Sequence, residues 1–411
     1  MLAGFFYLLP HCRRLLFRLP SMPDTLSAVR QRLPVTVLTG FTGAGKTTLL
    51  HHLLRQRPEL RTAVIVSNAS PPAPGRPAAD GSWCIRTEEK VVQLATENGR
   101  YALRADLLRE AGHLARENRF EYLLIENPAL ADLEPVVRTF LLGSAAYGLD
   151  LPRHARLDTL VAVVDAGKFF ADWHAPVERS AVGVGQEPAP WFRADVLVAQ
   201  VEAANILVLN KTDQAGATEL GRLRAFLQQL NPAARLLDAS FGQVAPAELL
   251  HTGLYCPTAP AEALVPASVA GISRYCFREA RPFHPERLWQ LVRERWPTQV
   301  LRSQGLFWLA SRPEEVLRWD QAGPSRRATT VGRWWAAVPG RADNPAYQRE
   351  ELALLARWHP QFQDRLNTLH FTGENLDENC LRADLESCLC TPMEVGRWRR
   401  GTTFPDPWPQ G

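Results

Sequence analysis

The segment GFTGAGKT at residues 40–47 constrains the fold of this 411-residue chain more than any other feature. It has the pattern Gly-x-x-x-x-Gly-Lys-Ser/Thr and lies between an apolar run (VTVLTG, 35–40) and a segment with helical spacing (TTLLHHLLRQ, 47–56). Glycines in such a loop let successive backbone N–H groups converge on phosphate oxygens, and the following helix points its positive end at the anion. The sequence therefore predicts a strand, a phosphate-binding loop and a helix, as in P-loop NTPases.

Further apolar runs predict the rest of the sheet. They are TAVIVSN (62–68), YLLIEN (122–127), LDTLVAVVDA (157–166) and ANILVLNKTD (204–213). These runs alternate with helical segments such as residues 100–117, which is typical of a mainly parallel sheet covered on both faces. We expect a doubly wound α/β domain whose functional loops lie at the carboxyl ends of the strands.

A Pro- and Ala-rich stretch divides the chain (CPTAPAEALVPASVAG, 256–271). Beyond it, the patterns predict strands at 272–283, 300–310, 329–337 and 367–373, and helices at 284–295 and 381–391. The expected organisation is an N-terminal extension (1–33), a P-loop domain (34–255), a linker (256–271), a smaller α+β domain (272–400) and a tail (401–411).

Charge and cysteine content bear on location and partners. The 47 Lys and Arg residues against 43 Asp and Glu leave a net charge of +4, too small to indicate a nucleic-acid-binding protein. The sequence has no run of eighteen or more apolar residues, so it predicts no transmembrane helix. Seven scattered cysteines do not form a disulfide framework and are typical of reduced thiols in a cytoplasmic protein. We therefore expect a cytoplasmic protein with no nucleic-acid partner and no transmembrane segment.

The phosphate loop assigns roles to its residues. Lys46 places a charge on the β- and γ-phosphates, and the Thr47 hydroxyl is a ligand for Mg²⁺. The residues expected to bind the nucleotide here are Gly43, Ala44, Gly45, Lys46, Thr47 and Thr48.

The segment NKTD (210–213) follows a predicted strand and suits recognition of guanine. The Asn210 amide can meet the O6 edge, the Asp213 carboxylate can accept from N1–H and the exocyclic amine, and the Lys211 stem can cover the ring. Adenine lacks that pair of donors, so a buried carboxylate there would stay unpaired at a cost. The motif favours GTP over ATP.

Two acidic residues end predicted strands between these motifs, Glu126 in YLLIEN and Asp165 in VAVVD. A carboxylate at the end of a strand beside a phosphate loop can hold Mg²⁺ directly or through water. The alternative for either residue is a helix cap or a satisfied strand-end carboxylate. We assign Glu126 a role in catalysis and Mg²⁺ binding, and leave Asp165 open between the two.

Together these segments resemble the CobW family of P-loop GTPases, which includes metallochaperones and cofactor-insertion proteins. The resemblance runs from about Pro34 to Trp398. Its segments are TVLTGFTGAGKTTLLHHLL, VVQLATENGRYALRADLL, IENPALADLEPV, VAVVDAGKFF, NKTD, RPFHPERLWQLV, LRSQGLFWLASRPEE, GRWWAA and LESCLCT. It implies a GTP- and Mg²⁺-dependent domain joined to a small α+β domain, a task in metal homeostasis or metalloenzyme assembly, a metalloprotein client, and a capacity to form oligomers.

The chain departs from the family pattern at its metal signature. The family's Cys-x-Cys-Cys run aligns with NGRY (98–101), which has no thiol, and the loop after the second strand is replaced around 67–75. The Glu-x-x-Gly motif reads ENPA (126–129), with Ala129 in place of glycine. Because soft thiolates select zinc and related ions, we do not expect the family's internal site for zinc or cobalt.

Other thiols and aromatic residues are assigned to the core. Cys388 and Cys390 form a Cys-x-Cys pair near His370, but residues two apart on a helix point to different faces, so we favour core packing over a metal site. The Trp308, Trp334 and Trp335 side chains are likewise expected in the core.

Three functions remain open at this level. The leading hypothesis is a slow, Mg²⁺-dependent GTPase of the CobW type. The alternative is a GTP-binding switch or partner-binding module that has lost catalysis. A third possibility, an ATP-using P-loop enzyme, is disfavoured by NKTD.

Overall fold

The computed structural model describes residues 32–68, 91–95, 102–117, 119–127, 129, 133–142, 151–175, 193–256, 268–269, 271–356 and 358–409. They fall into two compact units, one ending at residue 256 and one beginning at residue 268. Four sequence predictions lie wholly or mostly outside the described residues: the N-terminal extension, the loop after the second strand, the stretch 98–101 and the linker.

The first unit is a seven-stranded parallel sheet with helices. Its strands are β1 (Leu33–Gly40), β2 (Thr62–Asn68), β3 (Val91–Ala95), β4 (Tyr122–Glu126), β5 (Ala155–Asp165), β6 (Ile206–Asn210) and β7 (Arg235–Asp238). Its helices are α1 (Lys46–Gln56), α2 (Ala102–Glu117), α3 (Glu134–Leu142), α4 (Leu151–His154), α5 (Phe169–His174), α6 (Arg193–Ala203), α7 (Ala217–Leu230) and α8 (Pro246–Leu249).

The strand order is β3-β2-β4-β1-β5-β6-β7, which confirms the predicted doubly wound fold. Every residue of β1 is buried. Val35 and Val37 of β1 belong to one core cluster with α2 and α3, whereas Leu38 belongs to a second cluster with α1. Helices thus cover both faces of the sheet. The order reverses around β1, between β4 and β5, and in such sheets ligands bind at the carboxyl ends of the strands at this reversal.

The second unit is a six-stranded sheet with antiparallel pairing between neighbouring strands, in the order β12-β11-β10-β13-β9-β8. Its strands are β8 (Ser268–Val269), β9 (Ile272–Glu279), β10 (Val300–Phe307), β11 (Glu315–Ala322), β12 (Ser325–Arg333) and β13 (Asn367–Glu374). Its helices are α9 (Pro285–Glu294), α10 (Pro345–Ala356), α11 (Glu378–Ser387) and α12 (Pro392–Arg399). Apolar side chains of α9 and α11 share one core cluster with β9, β10, β11 and β13, which confirms the predicted α+β unit.

Four predicted elements of this unit have wrong bounds. The strands expected over 272–283 and 300–310 end at Glu279 and Phe307. The strand expected over 329–337 ends at Arg333, and the Asp364 carboxylate accepts hydrogen bonds from the backbone N–H groups of Trp335 (2.7 Å) and Ala336 (3.0 Å), which hold a 3₁₀ turn. The helix expected over 381–391 ends at Ser387, because Thr391 and Glu394 form a capping box that starts a new helix at Pro392.

The cysteine pair lies in the turn between those two helices and is buried, as are the three tryptophans expected in the core. Burial raises the pKa of the Cys388 thiol, and raises that of Cys390 to about 12. No group of three or more His, Cys, Asp or Glu side chains that could hold a metal ion is found in the described part of the chain. Among these described residues, no helix has the length and apolar character needed to cross a bilayer.

Candidate nucleotide-binding site

The phosphate loop connects β1 to α1 and depends on glycine at its last position. Gly45 has φ +102° and precedes the first helical residue, Lys46. A Cβ atom on Gly45 would lie 2.2 Å from Nδ2 of Asn210, closer than real Cβ contacts allow. Both the backbone conformation and the space at this position therefore require glycine.

The Lys46 side chain is folded back over the loop. Its ammonium donates hydrogen bonds to the carbonyl oxygens of Gly40 (2.7 Å) and Phe41 (3.2 Å), and the residue is only 8% exposed. Burial lowers the pKa of Lys46, and the nearby charge of Glu126 acts in the opposite direction. A phosphate oxygen at this loop would supply counter-charge to a desolvated cation.

Thr47 and Glu126 meet although they are 79 residues apart. The Thr47 hydroxyl donates to Oε1 of Glu126 at 2.8 Å, and Glu126 is held at the end of β4, in register with Leu38 of β1. The other carboxylate oxygen, Oε2, is buried without a hydrogen-bond partner in the described residues. A hydroxyl beside an unsatisfied carboxylate oxygen is a donor set that suits Mg²⁺, and Thr47 and Glu126 would hold it.

The Asn210 side chain forms hydrogen bonds with the backbone of two loops. Its Nδ2 donates to the carbonyl oxygen of Ala44 (2.9 Å), and its Oδ1 accepts from the N–H of Gly242 (2.9 Å). The residue is 2% exposed. The amide therefore braces the phosphate loop against the loop that follows β7, and its contact with the O6 edge of guanine stays a prediction.

Lys211 is positioned by Asp165, the residue that the sequence left open. The Lys211 ammonium pairs with Oδ2 of Asp165 at 2.7 Å, while Oδ1 accepts from the N–H of Gly167 at 3.1 Å. Asp165 ends β5 directly opposite Asn210 in the register of β5 and β6. The carboxylate thus fixes the side chain that is expected to cover the base.

Asp213 lies exposed in a 3₁₀ turn (Thr212–Gln214), and within the described residues no contact occupies its carboxylate. The same turn contacts a loop that the sequence analysis missed, because the Thr212 hydroxyl donates to the carbonyl oxygen of Ala239 (3.1 Å) and lies 3.2 Å from Oγ of Ser240. That loop follows β7 at the carboxyl edge of the sheet, and the sequence analysis missed it because it predicted no strand at residues 235–238.

Comparison with known proteins supports one family over both units. Residues 34–238 match the family described as CobW/HypB/UreG, nucleotide-binding domain, and residues 272–389 match the cobalamin synthesis protein cobW C-terminal domain. The chain belongs to the CobW family.

Several relatives and solved structures are similar to this CobW chain. It is 31% identical over 396 residues to zinc-regulated GTPase metalloprotein activator 1 of Dictyostelium discoideum, covering 89% of this chain and 81% of that protein. It is 30% identical over 252 residues to the zinc chaperone CobW of Pseudomonas aeruginosa, covering 57% and 62% respectively. The Zn(II)-bound YjiA GTPase from E. coli matches at 21% identity with a TM-score of 0.40, over 88% of this chain and 100% of that one.

One departure from the CobW pattern lies among the described residues. Ala129, where the family motif has glycine, lies in a turn after β4, and its carbonyl oxygen accepts a hydrogen bond from Nε2 of Gln200 in α6 at 2.8 Å. The backbone three residues after Glu126 is therefore fixed to a helix of the sheet's outer layer.

Proposed function

We propose that this protein binds GTP with Mg²⁺ and hydrolyses it slowly. The observation that carries the proposal is the pairing of Thr47 with Glu126, whose second carboxylate oxygen is buried without a partner, next to the buried charge of Lys46. A polar atom left unsatisfied in this way costs free energy in the free protein, and a ligand that satisfies it recovers that cost.

The residues divide the chemistry between them. Lys46 and the backbone N–H groups from Gly43 to Lys46 stabilise the charge on the β- and γ-phosphates, as phosphoryl transfer requires. Bound Mg²⁺ neutralises charge on the phosphate oxygens, with Thr47 and Glu126 as its proposed protein ligands. A carboxylate at Glu126 can also accept a hydrogen bond from the attacking water.

The base is read at the end of β6 in this proposal. Asp213 is exposed and accepts from the guanine N1–H and amine, while Lys211, held by Asp165, lays its stem over the ring. Asn210 keeps the two loops at a fixed separation through its bonds to Ala44 and Gly242.

The biological task that we propose is assistance to metal homeostasis or metalloenzyme assembly, with a metalloprotein as client and the cytoplasm as location. The names of the relatives, a zinc-regulated metalloprotein activator and a zinc chaperone, support this task. The sequence at 98–101 has no thiol, so we propose that zinc or cobalt is not held at the family's Cys-x-Cys-Cys position.

A second candidate is a GTP-binding switch without turnover. The observation that favours it is Ala129, whose carbonyl is bonded to Gln200, because a nucleotide-sensing segment has to move between two arrangements and this one is tied to α6. The two candidates differ in whether bound GTP is cleaved.

Single-turnover GTP hydrolysis with Mg²⁺ separates them. We expect measurable cleavage by the wild type, none by Lys46→Ala, and a fall of at least about 10²-fold for Glu126→Gln with GTP affinity preserved within a few-fold. Glu121→Gln is the matched control, since Glu121 lies just before β4 and pairs with exposed Arg61. Its turnover should equal that of the wild type.

Two outcomes would change the proposal. Tight GTP binding by the wild type without cleavage would reject the GTPase activity and favour the GTP-binding switch without turnover. Equal losses in Glu121→Gln and Glu126→Gln reject the assignment of Glu126. Parallel reactions with added Zn²⁺ or Co²⁺ test the metal task, because stimulation that Lys46→Ala abolishes would show a coupling between turnover and a transition metal.

A further inference from the structure

Phe241 is an aromatic residue in a costly conformation on the surface of the first unit. It is 67% exposed and has φ +54°. A bulky L-residue in the left-handed region is strained, and an exposed ring recovers little packing energy in return. Strain of this kind collects at binding and catalytic sites, where the surrounding structure imposes it.

The two neighbours of Phe241 are held by β6 with the turn that follows it (Thr212–Gln214) and by α1. On one side, Ser240 contacts the Thr212 hydroxyl, and the N–H of Gly242 donates to Oδ1 of Asn210. On the other side, a Cβ atom on Gly242 would lie 2.8 Å from the backbone nitrogen of Leu49, so the loop is pressed against α1. Phe241 is therefore fixed between the two elements that contact the nucleotide in the proposed function.

The ring of Phe241 lines a groove that begins at the phosphate-binding end of α1. The groove is lined by Thr47, Thr48, His51, His52, Arg55, Phe241 and Gln243. Thr47 and Thr48 belong to the first turn of α1, so the groove connects the expected phosphate position with an exposed aromatic ring. Ser240, the residue before Phe241, contacts Thr212, which lies between Lys211 and Asp213, so the ring and the expected base contacts belong to neighbouring loops.

We propose that Phe241 is a stacking platform for the guanine base of bound GTP. The proposal rests on the proposed function, because it needs a nucleotide at the phosphate loop. Stacking on an aromatic ring uses the π-face that every base has, so it adds affinity without choosing among bases. Phe241 is thus the positioning residue for the base, and the choice of guanine is left to Asp213.

The strain predicts a signature that a structural residue would not give. Replacing Phe241 by glycine removes both the ring and the cost of positive φ. We expect Phe241→Gly without ligand to melt a few degrees above the wild type, while its Kd for Mg²⁺–GTP rises about 10-fold. A side chain that supports the fold would lose stability on the same change.

The test compares two probes on the full-length chain by titration calorimetry. The affinity for inorganic tripolyphosphate with Mg²⁺ depends on the phosphate loop alone. The affinity for GTP with Mg²⁺ depends on the phosphate loop and on the contacts with the base. Phe241→Gly should weaken GTP and leave tripolyphosphate unchanged, Phe241→Trp should keep both affinities, and the preference for GTP over ATP should stay within a few-fold in all variants. Met393→Ala removes another exposed apolar side chain, in the second unit, and serves as control.

Each contrary result has a distinct meaning. An equal loss for GTP and tripolyphosphate in Phe241→Gly shows that the loop acts on the phosphate site and overturns the platform. Unchanged GTP affinity in Phe241→Gly, with normal binding by the wild type, overturns the platform alone and leaves the proposed function standing. A wild type that binds tripolyphosphate but not GTP overturns both.

Discussion

At the scale of single residues, the site depends on a close fit between Gly45 and Asn210. The Asn210 amide sits where any side chain at residue 45 would be, and it bonds to Ala44, one residue earlier. We expect Gly45→Ala to lower the free energy of unfolding by about 2–3 kcal/mol, through the overlap and the φ of +102°. It should also weaken GTP binding more than about 10-fold. Urea unfolding and calorimetry measure the two effects.

Gly43→Ala is the matched control within the same loop. Gly43 also has positive φ (+76°), but a Cβ atom there meets nothing within 4 Å, so only backbone strain of about 1 kcal/mol is expected. In a double-mutant cycle, Asn210→Ala should restore part of the stability lost in Gly45→Ala, since it removes the clashing amide. Equal losses at residues 43 and 45, or strict additivity with Asn210→Ala, would contradict the fit.

The sequence predicts chemical roles for the site residues, but it does not predict the contacts that hold those residues in place. Lys46, Thr47 and Glu126 could be predicted because a loop motif and a strand-end acid carry local signatures, and the fold brings Thr47 and Glu126 into contact. The bracing role of Asn210 depends on Ala44, 166 residues away, and on Gly242. No periodicity or motif encodes such a contact, and the same holds for the pairing of Asp165 with Lys211.

At the scale of elements, a buried polar cluster ties the start of β4 and β5 to the end of the first unit. Asp158 is fully buried, and its carboxylate accepts from the Tyr122 hydroxyl (3.0 Å), the N–H of Thr252 (2.8 Å) and the N–H of Gly253 (3.2 Å). Burial raises the pKa of Tyr122, so the phenol stays a donor. The cluster anchors residues 251–253 at the edge of the sheet opposite the phosphate loop.

We expect Asp158→Ala to lower the free energy of unfolding of the first unit by about 3–5 kcal/mol. The change removes the acceptor of two backbone N–H groups and of the buried Tyr122 phenol, and it breaks the ion pair with Arg156. Asp238→Ala is the control, because its carboxylate is exposed at β7 and pairs with Arg224, where a loss of at most about 1 kcal/mol is expected. Similar losses for both variants in urea unfolding would show that the cluster adds nothing beyond a surface ion pair.

In the second unit, Glu394 connects α9 to α12. Its carboxylate accepts two hydrogen bonds from the Arg287 guanidinium (2.9 and 2.7 Å) and one from the N–H of Thr391 (2.8 Å). These hydrogen bonds, with that from Arg287 largest, lower the pKa of Glu394 to about 2. Because the folded value lies below the unfolded one, the stabilisation is complete above about pH 5 and is lost as the pH falls towards 2.

Glu394→Gln should remove that part of the acid dependence. At pH 7 we expect the variant to be less stable by about 1 kcal/mol, and the difference from the wild type should shrink as the pH is lowered from 5 to 2. Glu386→Gln is the control, since Glu386 forms an exposed pair with Arg382. A constant difference between wild type and Glu394→Gln across this pH range would contradict the lowered pKa.

The bounds of strands and helices were predicted correctly only where the apolar pattern itself marks them. Strands with unbroken apolar runs, such as β2 (Thr62–Asn68), were predicted to the residue. The hairpin strand β11 (Glu315–Ala322) was missed because Arg, Asp and Gln interrupt its apolar residues. The break between α11 and α12 was missed because the apolar spacing continues through it, and only the capping box at Thr391 ends it.

At the scale of the whole molecule, all residues assigned to GTP and Mg²⁺ lie in the first of two compact units, between Gly43 and Phe241. A ligand that binds only the folded state stabilises it by an amount that grows with the logarithm of its concentration, about 2.7 kcal/mol at 100 times Kd. We therefore expect two calorimetric transitions, of which Mg²⁺–GTP raises only that of the first unit, by about 5–10 °C.

Variants assign the two transitions. Asp158→Ala should lower the midpoint of the transition that responds to GTP, because Asp158 is buried in the first unit. Glu394→Gln at pH 7 should lower the other midpoint, because Glu394 pairs with Arg287 within the second unit. Lys46→Ala should abolish the response to GTP and leave the second transition in place. If GTP raised both midpoints together, the assignment of the GTP response to the first unit alone would be rejected.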